Sequence, residues 1–219
     1  MTLITTEQIK LIEKRFINEN LTETTHFEEK AGTAPIIISA PHSVPQLRER
    51  SIKQGEFRTG VLSILLKEHL GCFSIYKTRN NGDDANFDEK CEYKEALIET
   101  IRQNHIELLI DLHIMSPKRE ADIELGTGRG ENISHNTYLI ERCINSFKEN
   151  DIENIIVDEN FPASYPHTVS ATIARECSIP CIQIEMNWRV LDTENGMESF
   201  LNVYNSLAAI VRSIEGEQA

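Results

Sequence analysis

Two histidines directly follow short apolar runs: His42 comes after Ile36-Ile37-Ile38-Ser39-Ala40-Pro41, and His113 after Leu108-Leu109-Ile110-Asp111-Leu112. A third run, Cys181-Ile182-Gln183-Ile184, ends at Glu185. A catalytic zinc needs three ligands of the His/Glu/Asp type, an open position for water and a nearby carboxylate to handle the proton. His42 and His113 are the candidate imidazole ligands, since a rigid strand end holds the backbone while the ring projects. Glu56 is the candidate third ligand because it stands at the start of the helix after the His42 loop. Asp111 shares the face of His113 by the period of two and is placed to orient that ring. Glu185 ends an otherwise apolar strand, where an unpartnered carboxylate is costly, and it is the candidate general base.

Each residue taken singly has a plainer reading. A lone histidine after a strand is more often a satisfied core or surface group. Glu56 alone reads as a solvated acid favoured at a helix start by the macrodipole. Glu185 alone reads as an ion-pair partner of Arg175 or Arg189, and Asp111 as a turn cap. The set stands out because two histidines and a glutamate occur together at three strand ends.

Those strands are separated by segments with helical spacing, which implies an α/β fold with a mixed, mostly parallel sheet covered on both faces. The carboxyl ends of its strands are where ligands are expected. Helices are expected over residues 6–19, 57–70, 93–104, 135–150, 170–177 and 197–214, the second ended by Gly71. Strands are expected over 36–39, 72–77 (alternating), 107–112, 123–126, 155–157 and 180–186. Residues 27–32 read as a loop or edge strand, 43–55 as a solvated loop, and 215–219 as a frayed tail.

No Ser/Gly-rich or Pro-rich linker divides the 219 residues, so a single domain over 1–219 is expected. A net charge of −13 argues against nucleic acid or an anionic membrane as the main partner. Met1 to Asn20 is a mixed polar stretch rather than a secretory leader, and no apolar run approaches the ~20 residues that span a bilayer. The five cysteines lack any CxxC pair. Reduced core thiols and a cytoplasmic location are the expectation.

Pro41-His42-Ser43, Gly55-Glu56-Phe57, Asp111-Leu112-His113 and Gln183-Ile184-Glu185-Met186, in that order, resemble the N-formylglutamate amidohydrolase family, within the zinc carboxypeptidase-like hydrolases. The likeness covers about Pro35 to Arg189. It implies a three-layer α/β/α fold, one zinc per chain held by His42, Glu56 and His113, and Glu185 as the catalytic carboxylate. It also implies hydrolysis of a small N-acylated amino acid. A carboxypeptidase-like or γ-glutamyl amide hydrolase and a non-catalytic binding protein are the rival readings. The carboxypeptidase HxxE pattern is missing, because Pro45 stands where its acid would be. Glu49 therefore competes with Glu56 for the third position.

For a small-molecule amide substrate, Arg79 and Asn86 lie in a polar turn after a strand, where fork-like hydrogen bonds could clamp a carboxylate. Arg129, in Gly126-Thr127-Gly128-Arg129-Gly130, could face an anion, although a plain flexible turn fits equally well. His167 could polarise a carbonyl, and Arg189 could touch substrate or pair with an acid. Neither a P-loop nor a GxGxxG pattern is present, which excludes those nucleotide-binding motifs.

Overall fold

The computed structural model describes residues 3–19, 24–194 and 196–215. Its central sheet has seven strands: β1 (Phe27–Lys30), β2 (Ala34–Ala40), β5 (Cys72–Lys77), β6 (Leu108–Met115), β7 (Ile123–Gly126), β8 (Ile155–Val157) and β9 (Cys181–Asn187), in the spatial order β1-β5-β2-β6-β9-β7-β8. The pairs β5–β2, β2–β6, β6–β9 and β7–β8 are parallel, whereas β1–β5 and β9–β7 are antiparallel. The sheet is therefore mixed and mostly parallel. Strands β3 (Gln46–Arg48) and β4 (Ser51–Lys53) form a separate hairpin.

The period of two divides the core. Ile36, Ile38, Leu108, Ile110, Leu112, Ile182 and Ile184 point to one face, where they pack with apolar side chains of helices α1 (Thr6–Ile17), α2 (Phe57–Leu70), α4 (Thr137–Lys148) and α7 (Met197–Glu215). Ile37, Phe73, Ile75, Leu109 and Cys181 point to the other, under α3 (Glu92–Asn104) and α5 (Val169–Cys177). These are the three layers expected of such a sheet. Asp111, His113, Gln183 and Glu185 continue the second set toward the carboxyl ends. Sequence alternation therefore aims them at the α3/α5 side.

Three expectations need correction. Residues 72–77 do not alternate, because β5 lies between two strands and all six residues are buried, Lys77 included. Lys77 reaches Asn81 and Asp83 through its Nζ. Residues 43–55 are not a plain solvated loop: they contain the β3–β4 hairpin, and Ser43 is wholly buried, donating its hydroxyl to the Ala40 and Lys77 carbonyls at 2.9 and 2.7 Å. The first helix stops at Ile17 rather than at residue 19, and Thr5 caps it, accepting from Gln8 N. Of the expected frayed tail, residues 216–219 lie outside the described residues.

Gly71 ends α2 with a φ of 70°, a left-handed cap that favours glycine. A short helix, α6 (Trp188–Leu191), follows β9. No described helix is long and apolar enough to cross a membrane.

Candidate metal centre

Strands β2, β6 and β9 are neighbours, and at their carboxyl ends stand His42, His113 and Glu185. His113 is in register with Glu185, and Asp111 with Gln183. Glu56 arrives from outside the sheet at the N-cap of α2, yet its side chain makes no capping bond. Its backbone N–H donates to the His42 carbonyl at 2.7 Å, which draws the helix start onto the end of β2. Gly55 permits this approach: a Cβ there would lie 2.9 Å from both Pro45 N and Val44 C.

The side chains converge. Glu56 Oε1 lies 3.0 Å from His42 Nδ1, and Glu56 Oε2 lies 3.5 Å from His113 Nδ1 while accepting from Ile114 N at 2.9 Å. The two Nδ1 atoms are 3.2 Å apart. Behind each ring stands a carboxylate: Asp84 Oδ1 is 2.9 Å from His42 Nε2, and Asp111 Oδ2 is 3.1 Å from His113 Nε2. A carboxylate only accepts, so both Nε2 atoms are the donors, and both Nδ1 lone pairs turn toward each other and toward Glu56. Three electron-pair donors facing one point, with ligand atoms all within 4.8 Å of one another, need a proton or a cation between them. Two imidazoles and a carboxylate with carboxylates behind the rings form a donor set that fits zinc and also suits cobalt, manganese or iron.

The electrostatics agree. Burial alone would raise Glu56, but the His42 and His113 rings outweigh it and hold its pKa at about 2. Burial opposes protonation of His42 and His113, yet both are raised, His42 by Glu56 and Asp84, and His113 strongly by Asp111 and Glu56. Burial also disfavours the charged form of Asp84, but His42 and Arg48 bring it below the usual carboxylate range. Glu185 goes the other way: burial pushes it up to about 7, with Glu56 and Glu124 adding to the rise and the His113 and His42 rings opposing it. A carboxyl poised near neutrality beside a ligand-rich centre suits proton transfer.

A cavity of about 480 Å³ opens on this centre, lined by His42, Glu56, His113 and Glu185 and walled by Phe87, Phe161 and His167. Two loops form its walls, residues 84–88 and 160–168. Lys94, almost wholly buried, ties them together by donating to the Asp88 and His167 carbonyls at 2.5 and 2.7 Å. Buried Glu124 anchors the far wall by accepting from the backbone N–H groups of Asn160 and Phe161. Gly126 makes room for it, since a Cβ there would stand 2.4 Å from the Phe161 carbonyl oxygen.

Of the residues expected at the site, the structure brings together His42, Glu56, His113, Asp111 and Glu185, with Asn86 and His167 on the cavity wall. Asn86 Oδ1 is taken up by Val169 N at 2.8 Å, and His167 stacks on Tyr165 with ring centroids 5.6 Å apart. Glu49 is exposed in the two-residue turn that joins β3 to β4, whereas Glu56 touches both imidazoles. Three arginines fall elsewhere. Arg79 donates to the Thr24 carbonyl, and Arg129 lines a different cavity with His135 and Asp158. Arg189 is held by Asp122 and by the Arg119 and Glu120 carbonyls.

Two residues were missed. Asp84 lies in a loop after β5, 42 positions from the ring it holds, so no local spacing links them. The signal was its place beyond the carboxyl end of a strand next to β2. Arg48 reads in sequence as one charge among several, yet its Nε bonds Asp84 Oδ2 at 2.7 Å and its guanidinium lies 5.3 Å from the Phe87 ring centroid. It is the single Lys or Arg among the described residues that line the cavity.

No family model matches the sequence, and no curated protein does. Solved structures share the fold. The chain is similar to an N-formylglutamate amidohydrolase from Ralstonia eutropha, at 14% identity and a TM-score of 0.59 over 88% of this chain and 98% of that one. It is similar to a bacteriophage poly-γ-glutamate hydrolase, at 14% identity and a TM-score of 0.53 over 90% of this chain and 91% of that one. A metallo-carboxypeptidase from Burkholderia cenocepacia matches at 12% identity and a TM-score of 0.52, over 84% of this chain and 57% of that one. The α/β/α architecture of the carboxypeptidase-like hydrolases is thus the architecture of this chain.

Proposed function

We propose that the protein is a metal-dependent amidohydrolase, with one zinc per chain, acting on a small N-acylated amino acid in the cytoplasm. The observation that carries the reading is the convergence of the Nδ1 atoms of His42 and His113 with the Glu56 carboxylate, beside a buried Glu185 whose pKa is pushed up to about 7. The solved structures of similar fold include enzymes named for hydrolysis of amide or peptide bonds, which is consistent with it.

A zinc ion bound there would lower the pKa of a water to about 7 and polarise a substrate carbonyl. The chain's own residues supply the rest. Asp84 and Asp111 keep both imidazoles in the tautomer that leaves Nδ1 free to ligate. Glu185, held by Gln183 Nε2 at 3.2 Å, takes the proton of the attacking water and passes it to the leaving amine nitrogen. Water oxygen bonds to the acyl carbon, the C–N bond breaks, and the products are a carboxylate and an ammonium. Arg48, on the cavity wall, holds the substrate carboxylate.

The test is metal analysis together with hydrolysis of an acyl-amino acid panel. Purified protein should carry about one zinc per chain and release amino acid from at least one member. A chain that binds no divalent metal and cleaves nothing would leave the non-catalytic binding reading in its place.

A further inference from the structure

Two cavities meet at Glu56. The first is the one just described. The second, about 440 Å³, shares Glu56 and Ile114 with it and is walled by Phe57, Met115, Pro117 and Trp188. Their chemistries differ. The first has Arg48, Asn86, Asn160 and His167 among its walls. Among the described residues, the second is lined by no lysine, arginine or histidine, and Glu56 is its only ionisable lining residue. Phe57, Ile114 and Trp188 pack on the main core yet stay half-buried. A concave space with apolar walls beside a charge-dense centre suits the apolar part of a ligand.

Glu185 lines the first cavity and not the second. Under the proposed reaction it protonates the leaving nitrogen, so the amine half of the substrate lies in the first cavity, with its carboxylate at Arg48. The acyl half then points away from Arg48, and the second cavity, which shares Glu56 and Ile114 with the first, is the apolar space beside it. We infer that the acyl group is a multi-carbon apolar one, aliphatic or aromatic, seated against Phe57, Met115 and Trp188. The inference rests on the hydrolase reading and narrows its substrate class. A formyl group is a single carbon and would leave these walls wet. A glutamyl acyl group would bring a second carboxylate into a cavity whose described lining residues include no basic side chain and which already borders Glu56.

The experiment compares kcat/KM of the zinc-loaded enzyme for the formyl, acetyl, hexanoyl and phenylacetyl amides of glutamate, alanine and phenylalanine. For each amino acid cleaved, hexanoyl or phenylacetyl should exceed formyl by roughly tenfold or more. Ser116 is an exposed residue on the rim of the second cavity, and Ser116→Trp fills that cavity from outside the sheet core. It should collapse the phenylacetyl-to-formyl ratio toward one. Equal or better turnover of the formyl series, or a ratio untouched by Ser116→Trp, overturns the inference while leaving the hydrolase reading in place. Failure of the hydrolase reading looks different: the zinc-loaded protein cleaves no member of the series, and both proposals fall together.

Discussion

The two imidazoles of the centre are held from behind in different ways. Asp111, behind His113, sits on β6 two residues away, wholly buried in a strand with parallel neighbours on both sides. Its Oδ1 has no hydrogen-bond partner among the described residues. Asp84, behind His42, sits in a loop and also bonds Arg48 Nε and Asn86 N, at 2.7 and 3.0 Å. One half of the centre is therefore built into the sheet, and the other is wired to the cavity wall. Rigid strands set where the ligands are, whereas the loop-borne half links ligand geometry to the groups a substrate meets.

The largest expected effect belongs to Glu185, which neither carboxylate supports. Glu185→Gln should keep metal while losing about 10²–10⁴-fold in kcat. Unchanged turnover would remove Glu185 from the proton path. Next is the pH dependence. His42 and His113 are both raised in the metal-free chain, so below their pKa values zinc must expel a proton from each ring. Apparent affinity should fall with acidity by up to about 100-fold per pH unit in that range. Linkage runs the same way for folding. A raised imidazole stabilises the metal-free fold at low pH and loses that contribution as pH climbs through its folded pKa. Glu185, raised from 4.5 to about 7, is protonated longer in the folded chain and also disfavours the metal-free fold as pH rises between those values. The Tm gap between zinc-loaded and metal-free protein should therefore widen from pH 6 to pH 8, as scanning calorimetry would show. A constant gap would contradict the protonated-imidazole picture.

The direct test of the contrast is Asp111→Asn beside Asp84→Asn. Each should weaken zinc binding by about 10–100-fold, because each exchanges the charged carboxylate that fixes a ring for a neutral amide, a weaker acceptor that also carries an NH2. Asp84→Asn should in addition raise KM, since it disturbs Arg48, whereas Asp111→Asn should leave KM of the zinc-saturated enzyme near wild type. Equal KM for both would mean that the loop does not couple the two tasks.

The same contrast explains what was legible in the sequence. Asp111 and His113 follow from the period of two on one strand, and Glu185 from a charge ending an apolar run. The parallel order β2-β6-β9 then brings those strand ends side by side. Glu56 could be placed only by choosing a helix start over a charged loop, and the close approach at Gly55 is what makes that geometry work. Asp84 and Arg48 come from a loop and a hairpin whose positions depend on tertiary contacts, and no periodicity marks such residues. Arg79, Arg129 and Arg189 show the converse. A guanidinium after a strand finds carbonyls and acids nearby, so its charge alone does not say which cavity it serves.

The smallest effect expected is that of Arg48→Lys, and it bears on whether the loop-borne half reaches substrate. Lysine keeps the charge but lacks the planar fork, so it loses the Nε bond to Asp84 and the guanidinium contact with the Phe87 ring. About a third of the Arg48 side chain is exposed, so solvent weakens what its charge contributes. A loss near 1 kcal/mol corresponds to roughly a fivefold rise in KM for a substrate bearing a carboxylate. The same acyl amide with its carboxylate converted to a neutral amide should show no difference between wild type and variant. Zinc content should also hold, because Asp84 keeps its carboxylate behind His42. If both substrates lose equally, Arg48 acts on the metal centre rather than on the substrate. The wiring from cavity wall to imidazole would then run inward only.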